Sequence, residues 1–147
     1  MRLVKSIVFS FVVLGLCSFM AQYCYINTTA SLPYGLYLRT NQPIEPGVLV
    51  AFYPPASKAE FVSRYTEPGT PLLKKVTFIG GEKYHLPPAA EKDSRGQLIP
   101  PYTPIRGVVP REHLIVEGKT IHSLDSRYIG PIPTSLVITT IKPLWTW

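Results

Sequence analysis

The residues of this chain best suited to covalent chemistry lie in three short segments. The first is Asn27-Thr-Thr-Ala-Ser-Leu-Pro-Tyr-Gly-Leu-Tyr37, where the Ser31 hydroxyl is followed by Leu32 and Pro33 and, one residue later, by Gly35. Proline restricts the backbone just past the serine, and glycine permits a tight turn. The second is Leu72-Leu-Lys-Lys-Val76, a lysine pair inside an apolar run. Strand alternation sends Lys74 and Lys75 to opposite faces, one toward the core and one toward water. The third is His122-Ser-Leu-Asp-Ser-Arg-Tyr-Ile-Gly130, a dense polar run. A serine hydroxyl is a weak nucleophile until a base removes its proton. Lysine supplies such a base only when neutral, and its ordinary pKa is about 10.4. Burial among Leu72, Leu73 and Val76 lowers that value. Reaching about 8 corresponds to roughly 3 kcal/mol of differential destabilisation of the cation.

Other chemistries are poorly provided for. His85, His113 and His122 have no metal-ligand spacing and read as surface or structural residues. There is no close carboxylate pair and no phosphate-cradling glycine loop. The only cysteines, Cys17 and Cys24, precede Ile26, so no thiol nucleophile or zinc–thiolate site is expected beyond it. No metal and no cofactor is therefore expected. After Ile26 there are thirteen Lys and Arg residues against nine Asp and Glu, a dispersed surplus of four. That is a poor nucleic-acid footprint and suits a general attraction to anionic lipid equally well.

The elements that must position these groups divide the chain in two. From Ser6 to Ile26 there are 21 residues without a charge. As a helix at about 1.5 Å per residue they span roughly 31 Å, close to the ~30 Å hydrocarbon thickness of a bilayer. Arg2 and Lys5 flank this run on one side only, which predicts a cytoplasmic N-terminus and an exported remainder. A cleaved signal peptide would end in a small-x-small site, but Phe19-Met20-Ala21 begins with a bulky residue. Residues 1–26 are thus expected to be an uncleaved membrane anchor, with both cysteines on nearly one face of its helix, and 27–147 the exported domain. All 16 prolines lie between Pro33 and Pro143, roughly 11% of the chain against an average of about 5%. A helical bundle is nearly excluded there.

Short strands are expected instead at Gly35–Arg39, Val48–Tyr53, Leu72–Ile79, Leu114–Val116 and Leu136–Ile141. One short helix is expected within Ala56–Tyr65, and a long exposed loop or hairpin tip over Pro87–Pro104. The fold class is mainly β: a small antiparallel domain on a single N-terminal transmembrane helix.

Taken together, the segments resemble the S26 family of membrane-bound serine peptidases, the type I signal peptidases. The Ser31 segment is similar to the conjugative-transfer TraF branch, with its Asn-x-Thr/Ser-x-Ser-Leu-Pro-x-Gly pattern. The resemblance implies a signal-peptidase-like β fold, with Ser31 as nucleophile and Lys74 as general base. It also implies an oxyanion hole from the Ser31 backbone N–H and the Thr29 hydroxyl. Ser123 falls on the hydroxyl that orients the lysine, while Asp125, Ser126 and Arg127 buttress the site. The chain departs from the common pattern at Gly47-Val48, at Gly80-Gly81-Glu82, and at Glu117-Gly118, which replaces the usual Gly-Asp.

The function so implied is that of a serine endopeptidase of the bacterial inner membrane, cleaving a membrane-tethered exported precursor by a Ser–Lys dyad. Pilin maturation is included, with hydrolysis and transfer to an amine both open. A LexA-like self-cleaving protease also uses serine and lysine, but the anchor and the lack of a DNA-binding region argue against it. The alternative from another class is a non-catalytic, membrane-anchored β module of a secretion or conjugation apparatus.

Overall fold

The computed structural model describes residues 2–147, with side chains from Val4 onward. Met1 and the side chain of Arg2, both part of the expected anchor, lie outside the described residues. Helix α1 spans Arg2–Tyr23, and none of its described side chains, Val4–Tyr23, is buried. Its Val4–Tyr23 portion is 20 residues long and apolar enough to cross a membrane by length and composition.

The helix ends three residues before the apolar run does. Cys24–Asn27 forms strand β1, paired antiparallel with β2 (Gly35–Thr40) from Cys24↔Leu38 to Asn27↔Gly35. The expected helix through Ile26 is therefore too long, and Cys24 does not share a helix with Cys17. Pairing with β2 satisfies the backbone of residues 24–27, which in a helix would need carbonyls of the preceding turn. Arg39 reinforces the junction by donating from Nη1 to the Gln22 carbonyl at 3.0 Å, satisfying an end carbonyl of α1.

The remaining elements are β3 (Leu49–Phe52), a 3₁₀ turn at Ala56–Lys58 leading into α2 (Ala59–Val62), β4 (Leu72–Ile79), β5 (Lys83–His85), β6 (Arg106–Val108), β7 (His113–Glu117), α3 (Ser126–Ile129), β8 (Ile132–Pro133), a second 3₁₀ turn at Thr134–Leu136 and β9 (Val137–Thr146). Seven strands form one antiparallel sheet in the order β1-β2-β9-β3-β4-β7-β8, and β5 pairs with β6 apart from it. The domain is mainly β, as its proline and hydrophobic patterning predict.

Alternation along the central strands builds two cores. Val50, Phe52, Leu72 and Val76 meet Leu114, Val116, Ile129 and Ile132 on one face, while Ala51, Leu73 and Ile141 meet Leu32 and Tyr37 on the other. β9 runs past the expected end at Ile141 and through Pro143. Beyond Ile141 it pairs only with β2, so a residue without an N–H is tolerated there. The Pro87–Pro104 excursion is the β5–β6 hairpin connection, but it is not simply exposed. Lys92 bridges to Leu98, Ile99 is buried, and the Asp93 carboxylate accepts the N–H groups of Arg95 and Gln97, each at 2.8 Å.

Candidate active site

The β1–β2 hairpin carries Ser31 in its loop, residues 28–34. Asn27 closes the loop from β1. Its Nδ2 donates to the carbonyls of Thr29 (2.8 Å), Leu32 (3.0 Å) and Pro33 (3.0 Å), and its Oδ1 accepts the Thr29 hydroxyl at 3.0 Å. The opposite closure is Gly35, which begins β2 with φ +155°; a Cβ there would run into the Trp145 carbonyl and stand 2.8 Å from Thr146 Cα. Glycine is needed because β9 approaches so closely, a reason beyond the tight turn its position suggests.

Ser31 is buried, and its Oγ lies 2.8 Å from Thr29 Oγ1. Lys74, on β4 opposite Val50, is only 4% exposed, whereas Lys75 is exposed, so the pair divides as strand alternation predicts. Lys74 projects from the same strand face as Leu72 and Val76, and its Nζ donates to the Leu73 carbonyl at 3.1 Å. Burial pulls this amine down from 10.5 to about 8; the Asp125 carboxylate pushes it back up and the Arg127 guanidinium pushes it down again.

Ser31 and Lys74 line one cleft of about 380 Å³ together with Thr29, Ser123 and His122. Among the described residues no hydrogen bond joins Ser31 to Lys74. Ser123 is buried, and its Oγ has no hydrogen-bond partner among the described residues. A lysine nitrogen carries more hydrogens than its single bond to Leu73 uses, so an acceptor and spare donors share the cleft.

The segment after Ser123 is a dense hydrogen-bonded corner. Asp125 Oδ1 accepts from Arg127 Nε at 2.9 Å, and Oδ2 accepts from Arg127 Nη2 at 2.6 Å, a bidentate buried pair. Oδ2 also takes the Gly118 N–H at 2.7 Å, and Arg127 Nη2 continues to the carbonyls of Thr120 and Gly118. Ser126 Oγ accepts the Val116 N–H at 2.9 Å. The Tyr128 hydroxyl donates to the Ile121 carbonyl and accepts the Ala90 N–H, which ties the hairpin excursion to the same corner. Asp125, Ser126 and Arg127 therefore fix the chain leaving β7.

That chain passes directly beside Ser31. Lys119 donates its backbone N–H to the Ser31 carbonyl at 2.7 Å. A Cβ on Gly118 would collide with Ser123 Oγ and stand 3.1 Å from Ser31 Cβ. The Glu117-Gly118 departure thus places a glycine where β7 meets both serines.

The sequence motifs did not assign a role to Asn27, Gly118 or Tyr65. Asn27 was visible as the first residue of the Ser31 motif, with no role attached to it. Tyr65, just after α2, lines the cleft and donates to Asp93 Oδ2 at 3.1 Å, a contact across 28 residues that no local pattern announces. Of the histidines, His122 lines the cleft at an exposed position, whereas His85 and His113 do not.

Comparison with known proteins shows the chain's kinship. The family model described as signal peptidase, peptidase S26, matches residues 1–146. A plasmid transfer protein TraF of Escherichia coli is 30% identical over 147 aligned positions, covering 83% of this chain and 82% of the relative. A second Escherichia coli plasmid transfer protein TraF is 26% identical over 176 positions, covering 99% of each. A conjugal transfer protein TraF of Agrobacterium fabrum is 30% identical over 146 positions, covering 83% of this chain and 82% of the relative.

Proposed function

The chain belongs to the signal peptidase family, peptidase S26, and from that premise we propose that it is a membrane-anchored serine endopeptidase whose nucleophile is Ser31 and whose general base is Lys74. The observation that carries this reading is the buried Lys74 amine, held near pKa 8 in the cleft that also holds the Ser31 and Ser123 hydroxyls. A base of that pKa is substantially neutral in mildly alkaline solution and well matched to proton transfer.

In the proposed reaction, neutral Lys74 Nζ takes the Ser31 proton as Oγ bonds to the scissile carbonyl carbon. The carbonyl electron pair moves onto oxygen, where the Ser31 backbone N–H stabilises the charge, joined by the Thr29 hydroxyl once its hydrogen turns from Asn27 Oδ1 toward the oxyanion. Collapse of the tetrahedral species expels the amine half, which takes the proton from Lys74, and leaves an acyl–Ser31 ester. Water, or an amine in a joining reaction, then attacks that ester and releases Ser31. Ser123 Oγ acts as an acceptor for Lys74 and aims its lone pair. Asp125, Ser126 and Arg127 hold the supporting chain.

The substrate class follows from location and kinship. Ser31 is four residues beyond the last residue of β1, Asn27, and eight beyond the helix end at Tyr23. With α1 in the inner membrane and its N-terminus cytoplasmic, the site stands close to the outer bilayer surface and receives a membrane-tethered exported precursor. The relatives named as plasmid or conjugal transfer proteins point to a precursor of a conjugation apparatus, a pilin being the leading choice.

The test is processing of a co-expressed exported pilin precursor by wild type, Ser31→Ala and Lys74→Ala. Loss of cleavage in both variants, with their membrane content unchanged, is expected; undiminished cleavage by either overturns the dyad.

A further inference from the structure

The hydrogen-bond chain through the Ser31 loop has a definite direction, set by Asn27. The three carbonyls around Nδ2 leave one orientation for the amide, because a flipped oxygen would face all three acceptors. Oδ1 then accepts, and the Thr29 hydroxyl donates to it. A hydroxyl has one hydrogen, so Thr29 has none left for Ser31. The 2.8 Å contact between the two hydroxyls must therefore run from Ser31 to Thr29. The direction is Ser31 to Thr29 to Asn27.

We propose that Asn27 is a positioning residue for the nucleophile: it folds the 28–34 loop around its amide and, through Thr29, sets the direction of the Ser31 hydroxyl. Asn27 lines the same cleft, but the polar atoms of its amide are bonded to the loop. Its own side chain is buried and spent on the loop. It acts at two levels: three carbonyl contacts fix where Ser31 stands, and one acceptor fixes where the Ser31 hydrogen points before Lys74 takes it. The second level rests on the proposed role of Ser31, whereas the first does not.

The experiment uses the full chain in detergent micelles, with p-nitrophenyl acetate as acyl donor and intact-mass mapping of the acetylated residue. Ser31→Ala serves as the blank for surface amines. Asn27→Ala should acylate Ser31 roughly 100-fold more slowly, the scale of loss expected when a nucleophile is misplaced by about 1 Å. Thr29→Val should lose less, and Thr29→Ser should restore most of that loss. The double variant Asn27→Ala/Thr29→Val should be no slower than Asn27→Ala, because one residue acts through the other. The pH midpoint should stay that of Lys74 in every variant. Multiplicative losses in the double variant, or a shifted midpoint in Asn27→Ala, would overturn the proposal.

A second measurement does not depend on Ser31 chemistry. The Asn27 side-chain NH₂ protons of wild type should be protected from solvent exchange by NMR. Exchange at the rate of a free amide overturns the positioning role whatever Ser31 does. Protected protons in a chain whose Ser31 is never acylated would instead remove the peptidase reading and the hydroxyl-direction part, and keep the loop-folding part.

Discussion

The carboxylate of Asp125 accepts the backbone N–H of Gly118 at 2.7 Å, and Gly118 in turn lies against both Ser31 and Ser123. A buried acid on the most family-specific motif is thus one hydrogen bond from the strip of backbone that lies against the candidate nucleophile and the hydroxyl proposed to orient Lys74. Asp125 is fully buried and paired with Arg127 in two contacts, so its replacement by a neutral residue leaves the buried guanidinium without its counter-charge. Asp125→Asn should lower unfolding stability by about 3 kcal/mol, the scale of breaking a buried pair from one side. Denaturant unfolding of the full chain in detergent measures it, and a loss below about 1 kcal/mol would show that the corner does not depend on this charge.

Gly118→Ala tests the same strip from the other side. The added Cβ would collide with Ser123 Oγ and stand 2.5 Å from Ser123 Cβ, so the β7 exit must shift. Expected are a destabilisation of about 2 kcal/mol, typical of overpacking, and a loss of precursor processing larger than that destabilisation explains. Processing and melting temperature, measured on one preparation, separate the two.

The pH profile of peptide cleavage should follow the Lys74 amine. With its pKa near 8, the neutral fraction falls about tenfold per unit below that value and saturates above it. Rate should therefore climb through neutrality and level off above about 8. A histidine base would reach its plateau near neutrality instead, and finding that plateau would redirect attention to His122, which lines the cleft.

The same depressed pKa carries a stability consequence. The folded amine titrates near 8 against an ordinary 10.5. Between these values the unfolded chain binds more protons, so wild-type stability rises with pH across that window; below about 8 both states are protonated and the cost of burying the charge is present in full. Lys74→Met should therefore be more stable than wild type at pH 7 by about 3 kcal/mol, with the gain shrinking toward pH 10.5. Unfolding curves at both pH values check the sign, and an equal gain at each would contradict it.

Ser123→Ala should separate activity from stability. Its Oγ is buried with no partner among the described residues, a state that costs free energy in the resting fold. Removing it should leave stability unchanged or raise it by up to about 1 kcal/mol, while the cleavage rate falls about tenfold through loss of lysine orientation. A variant as active as wild type would remove Ser123 from the site.

Much of this was legible without coordinates because it depends on local periodicity. Leu72–Ile79 reads as a strand from its apolar run, and the structure has a strand over those residues. The opposite faces of Lys74 and Lys75 follow from a period of two. The helix end was not legible, since Cys24, Tyr25 and Ile26 continue the uncharged run and hydropathy alone does not tell a spanning helix from a strand. Pairing with Leu36, Tyr37 and Leu38 decides it. The extension of β9 through Pro143 was hidden for a related reason: a proline ends a strand only where a neighbour needs its N–H, and there β9 has β2 alone beside it.

The sequence by itself determined the apolar helix, the strand-rich domain behind it, and the residue types able to act as nucleophile, base and buttress, because composition, short-range periodicity and motif order are properties of the chain. Only the tertiary structure decided that Ser31 and Lys74 share one cleft and that burial brings the amine near 8. It also decided that Gly118 must lack a side chain and that Asn27 sets the direction of the Ser31 hydroxyl. Each of those depends on desolvation, hydrogen bonding or close approach between atoms that the fold gathers, and such interactions act through space, whatever the separation along the chain.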